Sequence, residues 1–275
     1  MPAHAGSLRI TDMYRLHLRA LRARGVSYAR EQWAALDPGD LDRSHAAWVQ
    51  KVAITTTELQ RAGARLSHAY LTAYLRSETR RPLAAVPVDL SAHVGEARSG
   101  RPLAEALVPT LFTVKQAIGD GKDTSAALTE GLNRAVRTVG EESIAPARES
   151  LAEGIRQEGG IVGWRRVTGG GCGACLAAAT GAVQADDEVL EVHPFCQCSK
   201  EPVVKDAPDH VTRPTGGEIF KGLSAQEQDQ LLGPDKAELI RSGAVPLQAL
   251  IQRDPMVEVA DGITEAPLEA LLNRS

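Results

Sequence analysis

Aromatic side chains are scarce in this chain, at 4% of 275 residues. Large rings therefore cannot dominate the core. With alanine abundant, the composition points to closely approaching helices lined by Ala, Leu and Val rather than to a compact β-rich fold. No stretch approaches the apolar run a membrane span requires. The opening MPAHAGSLRITDMYRLHLRALRARG lacks the apolar centre of a signal peptide, so synthesis in a cytoplasm without a membrane partner is expected. The first 160 residues hold no recognisable catalytic constellation, and the five histidines among them read as structural or solvated. What is present is ordinary for a globular protein that buries a core: 43% hydrophobic and 24% charged residues.

The formal net charge of -4 hides a gradient. Residues 1–81 carry 13 Lys/Arg against 7 Asp/Glu, whereas residues 201–275 carry 7 against 13. A basic first third suits nucleic acid or an acidic protein surface, although an ordinary solvated helix surface produces the same count and no dense basic block appears.

Between the turn signal DPGD at 37–40 and Pro82 runs a proline-free segment in which apolar residues recur every seven positions. One row is Val52, Leu59, Leu66 and Ala73; the other is Leu41, Trp48, Ala62 and Ala69, with Thr55 in register. This predicts one long amphipathic helix whose small residues admit a partner helix closely. Before it, Ile10 to about Leu36 reads as one or two helices carrying Met13, Leu16, Leu21 and Trp33. The segment TRRPLAAVPVDLSAHVG reads as a connection. A further helix follows with Ala127, Leu128, Leu132, Ala135, Val136 and Val139, capped at Asp123 or Thr124, divided at Pro146 and ended by Gly159 and Gly160. The expected fold is mostly α with a small α+β C-terminal domain: an elongated helical domain over 1–158, then 159–275 with the cysteines.

All four cysteines lie between positions 172 and 198. Cys172 and Cys175 form a C-x2-C pair, Cys196 and Cys198 a C-x-C pair, and His193 opens HPFCQC. Five soft donors thus stand ready for a four-coordinate ion such as zinc, which prefers thiolate and imidazole. The glycines at 169–171 and 173 suit a knuckle that needs positive φ. A thioredoxin-like redox pair would leave HPFCQC unexplained. A phosphate loop fails for want of the Gly-Lys-Ser/Thr ending. Two disulfides remain open if the protein meets an oxidising environment. As metal or as disulfides the site is structural, because protein ligands leave no open position. GIVGWRRV before it and KEPVV after it read as strands, so the site would staple a strand, the short helix CLAAATG and a return strand.

WRRV, CGACLAAATG and HPFCQCSKEPV resemble the MuF-like phage minor head proteins, the phage head morphogenesis family. RPTGGEIFKGLSAQEQDQLLGPDKAELIRSGAVPLQAL is similar to the continuation in actinobacteriophage members, and YRLHLRALRARG with the following Trp-containing helix is similar too. The resemblance implies a non-enzymatic virion protein in the head interior, made in a bacterial host cytoplasm and acting in head morphogenesis or genome passage. It implies portal protein, major capsid protein or scaffolding protein as partners, packaged DNA through the basic first third, and no small-molecule substrate. The motif match carries over to Cys172, Cys175, His193, Cys196 and Cys198 around a structural zinc.

In the last third, Ile219, Phe220, Leu223, Leu231, Leu232, Leu239 and Ile240 are expected to pack on the stapled domain, with Gly233 and Pro234 separating two helices. DPMVEVADGITEAPLEALLNRS reads as a docking helix or a tail. The alternative reading of the whole chain is a zinc-ribbon-type nucleic-acid-binding or regulatory protein, against which the acidic C-terminal region counts. An enzyme, either a thiol oxidoreductase using Cys172 or a maturation protease, lacks a placed acid, base and nucleophile.

Overall fold

A computed structural model gives the fold and describes residues 3–81, 84–168, 172–193, 196–205, 207 and 213–250. The expected tail from residue 251 onward and the glycine run 169–171 lie outside the described residues. The chain is mostly helical with one small antiparallel sheet.

Two long helices, α1 (Ala3–Trp33) and α2 (Leu41–Thr79), form a hairpin. The turn between them is closed by aspartates: Asp37 accepts the Gly39 amide, and Asp40 caps α2 by accepting the Arg43 amide. Tyr14 stacks on Tyr70 at 4.3 Å between ring centroids, and Trp33 meets Trp48 edge-on at 5.1 Å. The pairing of early with late residues makes the helices antiparallel. At 1.5 Å per residue, α2 is about 58 Å long.

The long helix is present, and the first of its seven-residue rows stays inward, with Val52 and Leu59 buried and Leu66 and Ala73 half-buried, while the buried side also repeats at eleven residues. His45, Thr56, Ser67 and Glu78 recur at that spacing on its buried side, as do Trp48, Leu59 and Tyr70, and Val49, Gln60 and Leu71. On α1 the same interval links Thr11, Arg22 and Trp33, and Leu18 with Ala29, all buried. Eleven residues over three turns is 3.67 per turn, near the natural 3.6, so the stripe stays on one side of a nearly straight helix. The second seven-residue row drifts off that side. Ala62 and Ala69 are accordingly exposed, and Gly63, Ser67 and Thr56 supply the close approach instead. Met13 and Leu16 also face outward, at 44% and 54% exposure.

Between residues 84 and 102 the chain crosses without a helix, as expected. It then forms α3 (Leu103–Leu107) and α4 (Pro109–Gly119), followed by α5 (Thr124–Glu142) and α6 (Ala145–Gln157). Asp123 caps α5 by accepting the Ala126 amide, and Pro146 sits in the first turn of α6, where its missing amide costs nothing. α5 packs on α1 and α4, and α6 lies along α2.

The sheet pairs β1 (Ile161–Val167) with β2 (Ser199–Val204), Trp164 opposite Pro202 and Val167 opposite Ser199. β2 is buried along its whole length. Its Glu201 accepts from Thr11 at 2.8 Å and from Arg213 at 2.9 Å, which ties the strand to α1. One hydrophobic cluster joins Tyr14, Leu71 and Leu151 of the helices to Trp164, Cys175, Cys196 and Val204. The expected division at 158/159 falls between α6 and β1, and this core continues across it.

His45 shows how dry the hairpin is near its turn. It is 2% exposed, lies against Trp33 and Trp48, and is 2.7 Å from the Thr110 hydroxyl. That hydroxyl donates to the Leu107 carbonyl, so the imidazole Nε2–H is assigned as donor to Thr110. Burial pulls His45 down from 6.5 to about 4. The unfolded chain then takes up a proton at higher pH than the folded one. Stability is complete above about pH 6.5 and falls as pH drops toward 4, by about 2 kcal/mol between pH 7.5 and pH 5. Urea unfolding at those two pH values should show this loss, and His45→Gln should remove most of it; an undiminished loss in the variant would refute the assignment.

Candidate metal centre

The C-x2-C pair opens the short helix α7 (Gly173–Ala178), where Cys172 is the cap residue and its sulfur accepts the Cys175 amide at 3.2 Å. Gly173 is helical and does not have the positive φ expected of a knuckle glycine. What a side chain there would meet is Leu232, 2.2 Å from a Cβ. In the C-x-C pair the Cys198 amide points at the Cys196 sulfur, 3.4 Å away.

The fold brings all five expected donors together. His193 Nε2 is 3.1 Å from the sulfurs of both Cys172 and Cys175. The Cys175 and Cys196 sulfurs are 3.7 Å apart. Two sets of donors, Cys172 with Cys175 and His193, and Cys175 with Cys196 and Cys198, each lie within 4.8 Å of one another. Cys175 belongs to both. All four cysteines are free thiols, so the disulfide pairing held open above is not formed. The donor chemistry fits a soft ion: bonds of about 2.3 Å to sulfur in a tetrahedron place sulfurs about 3.8 Å apart, close to the Cys175–Cys196 separation. The cluster can therefore bind a metal ion.

The sulfurs already share charge unequally. Hydrogen bonds from the Cys175 and Cys198 thiols hold Cys196 well below the ordinary thiol range, while the same contacts push Cys175 up.

Three residues of the helical body hold this cluster, and the cysteine spacing gave no sign of them. Arg22 of α1 and Arg148 of α6 both donate to the Cys196 carbonyl, at 3.1 and 2.7 Å. Glu141 of α5 pairs with both guanidinium groups, at 2.7 and 3.2 Å. The signal for Arg22 was its place in the buried row with Thr11 and Trp33, where an arginine demands a partner. Three of the bases in the basic first third, Arg15, Arg19 and Arg22, thus face this cluster and not solvent alone.

From the other side, α7 rests on α8 (Gly216–Gly222). The Gly216 amide donates to the Ala179 carbonyl at 2.6 Å, and a Cβ at Gly216 would lie 1.8 Å from the Leu176 carbonyl oxygen. Only glycine fits there. Beyond it, α9 (Ala225–Leu232) and α10 (Pro234–Arg241), separated at Gly233 and Pro234, add Ala237 and Leu232 to a cluster with Leu176, Ala177 and Phe220. Compared with protein-family models, with curated proteins and with solved structures, the chain matches none of them.

Two outcomes follow for this centre. A four-coordinate ion leaves one of the five donors unused, so one of the variants Cys172→Ser, His193→Ala, Cys196→Ser and Cys198→Ser should keep a full metal complement, whereas Cys175→Ser, which removes the donor common to both sets, should lose it by elemental analysis. Retention of metal by Cys175→Ser would refute the shared role of that sulfur. Gly216→Ala should lower stability by about 2–4 kcal/mol, because the added methyl meets backbone rather than a movable side chain. Unchanged thermal unfolding would show that α7 does not bear on α8 as described.

Proposed function

We propose that this chain is a structural assembly protein of the MuF-like minor head type, with a zinc ion fixing its cysteine and histidine cluster to the helical hairpin. The observation that carries the reading is the joint fate of the motif residues. CGAC and HPFCQC, quoted above for the family resemblance, converge on one buried donor set that is clamped by helices from far earlier in the chain. A zinc ion there supplies charge and cross-linking, not a reaction. Cys175, with three of Cys172, His193, Cys196 and Cys198, would hold it.

In this reading the chain acts by surface complementarity inside a phage head, meeting portal protein and major capsid or scaffolding protein. The outward bases of α1 and α2, such as Arg24, Arg61 and Arg65, are available to packaged DNA. The zinc-ribbon alternative is less well supported, because the region after the cluster is acidic.

The test is co-expression of the full chain with the portal and capsid proteins of the same genome, followed by isolation of heads and elemental analysis. The expected result is a few copies per head with about one zinc per chain, and chelator-induced release or unfolding. Absence from heads together with salt-sensitive DNA binding by the full chain would favour the alternative and overturn the proposal.

A further inference from the structure

A second polar site lies on the opposite side of Arg148 from the cysteines. A cleft of about 60 Å³ opens between α6 and the segment 187–192, floored by the first residues of β2. Since one water needs roughly 10–15 Å³, it has room for about four waters or one compact group.

Its floor holds a cation without a counter-ion. Lys200 is 4% exposed, and its ammonium has two described partners, the Glu188 carbonyl at 2.6 Å and the face of Trp164 at 4.4 Å from the ring centre. Among the described residues it forms no salt bridge. Burying an ammonium with only a carbonyl and a ring face is costly, and an anion alongside would offset that cost. Next to it, Ser199 is 2% exposed and its hydroxyl has no hydrogen-bond partner among the described residues. Arg148 lines the same cleft, and its Nε is buried without a partner among the described residues while its other two nitrogens are engaged. Arg98 and Arg156 stand at the exposed rim. The carboxylates near Lys200 are Glu149, Asp187 and Glu188 at the exposed edge and the half-buried Asp186, none of them in a salt bridge with it among the described residues, so the unmatched donors lie below the negative groups.

We propose that this cleft binds a compact oxyanion, a phosphate or carboxylate group seated on Ser199, Lys200 and Arg148. The pairing of an unmatched ammonium with a spare hydroxyl and guanidinium donor is what such a group recognises. Because Arg148 also holds the Cys196 carbonyl, the site adjoins the metal centre but does not require the head-protein reading.

The experiment uses the full, metal-replete chain at constant ionic strength, titrated separately with inorganic phosphate, acetate and chloride while thermal unfolding and tryptophan emission are followed. The expected result is a saturable rise in melting temperature with phosphate or acetate and none with chloride; the more effective anion identifies the source. Lys200→Met should weaken that response at least tenfold. Because a buried substitution can impair folding, Arg156→Gln at the exposed rim provides a second variant, expected to weaken binding about threefold with the fold intact. An equal response to all three anions, or a response unchanged in both variants, would overturn the proposal.

Discussion

The carbonyl oxygen of Cys196 receives two guanidinium groups, one from α1 and one from α6, and both are paired with Glu141 from α5. Two helices more than a hundred residues apart therefore meet on a single peptide group of the cysteine cluster, with a third helix pairing both of their charges. Buried charges are expensive to desolvate, and the arrangement is tolerable only because each member has partners. Remove one arginine and Glu141 keeps a single cation; remove Glu141 and two arginines compete over one carbonyl. The constraint is reciprocal, since a displaced Cys196 strands the same charges. The position of the C-x-C turn is in this way an internal property of the helical body.

The hairpin can supply those arginines at fixed positions because its stripe does not wander. An eleven-residue interval keeps Thr11, Arg22 and Trp33 on one line of α1 and carries Trp48, Leu59 and Tyr70 along α2. Polar members punctuate that stripe, and several find partners suited to their depth, whereas the Thr56 hydroxyl is buried without one among the described residues. Thr11 joins Tyr70 and Glu201, Ser67 donates to the Ala147 carbonyl and Tyr14 meets Ser67. Such contacts fix the register of the helices more sharply than alanine packing would. They also explain how a chain with so few aromatic residues keeps a defined core.

Much of this was legible in the sequence where local chemistry decides. The cap at Asp123, the turn at 37–40, the division at Pro146, the strand pair and the grouping of Cys172, Cys175, His193, Cys196 and Cys198 follow from residue type and spacing. The long helix was legible too, and of its two seven-residue rows the one with Val52 and Leu59 stays inward while the one with Ala62 and Ala69 does not, a difference that only the packing of α1 and α6 decides. Helices α3 and α4 escaped because the first is a single turn and Pro109 interrupts the pattern between them. Gly216 gave no warning either. Its need for hydrogen at Cα arises from Leu176, forty residues earlier in the chain, and no local rule contains that contact.

The same logic bears on how the two polar regions relate. Arg148 lines both the cleft and the cysteine cluster, with two nitrogens committed to Cys196 and Glu141 and the third unmatched. β2 continues the connection, because it begins one residue after Cys198 and its first two residues are Ser199 and Lys200. An ion that fixes Cys198 therefore fixes where β2 starts, and with it the hydroxyl and ammonium at the floor of the cleft. A charge placed in the cleft acts back through the same guanidinium on the Cys196 carbonyl. The two sites share a strand and an arginine, so the stability of either is tied to the geometry of the other.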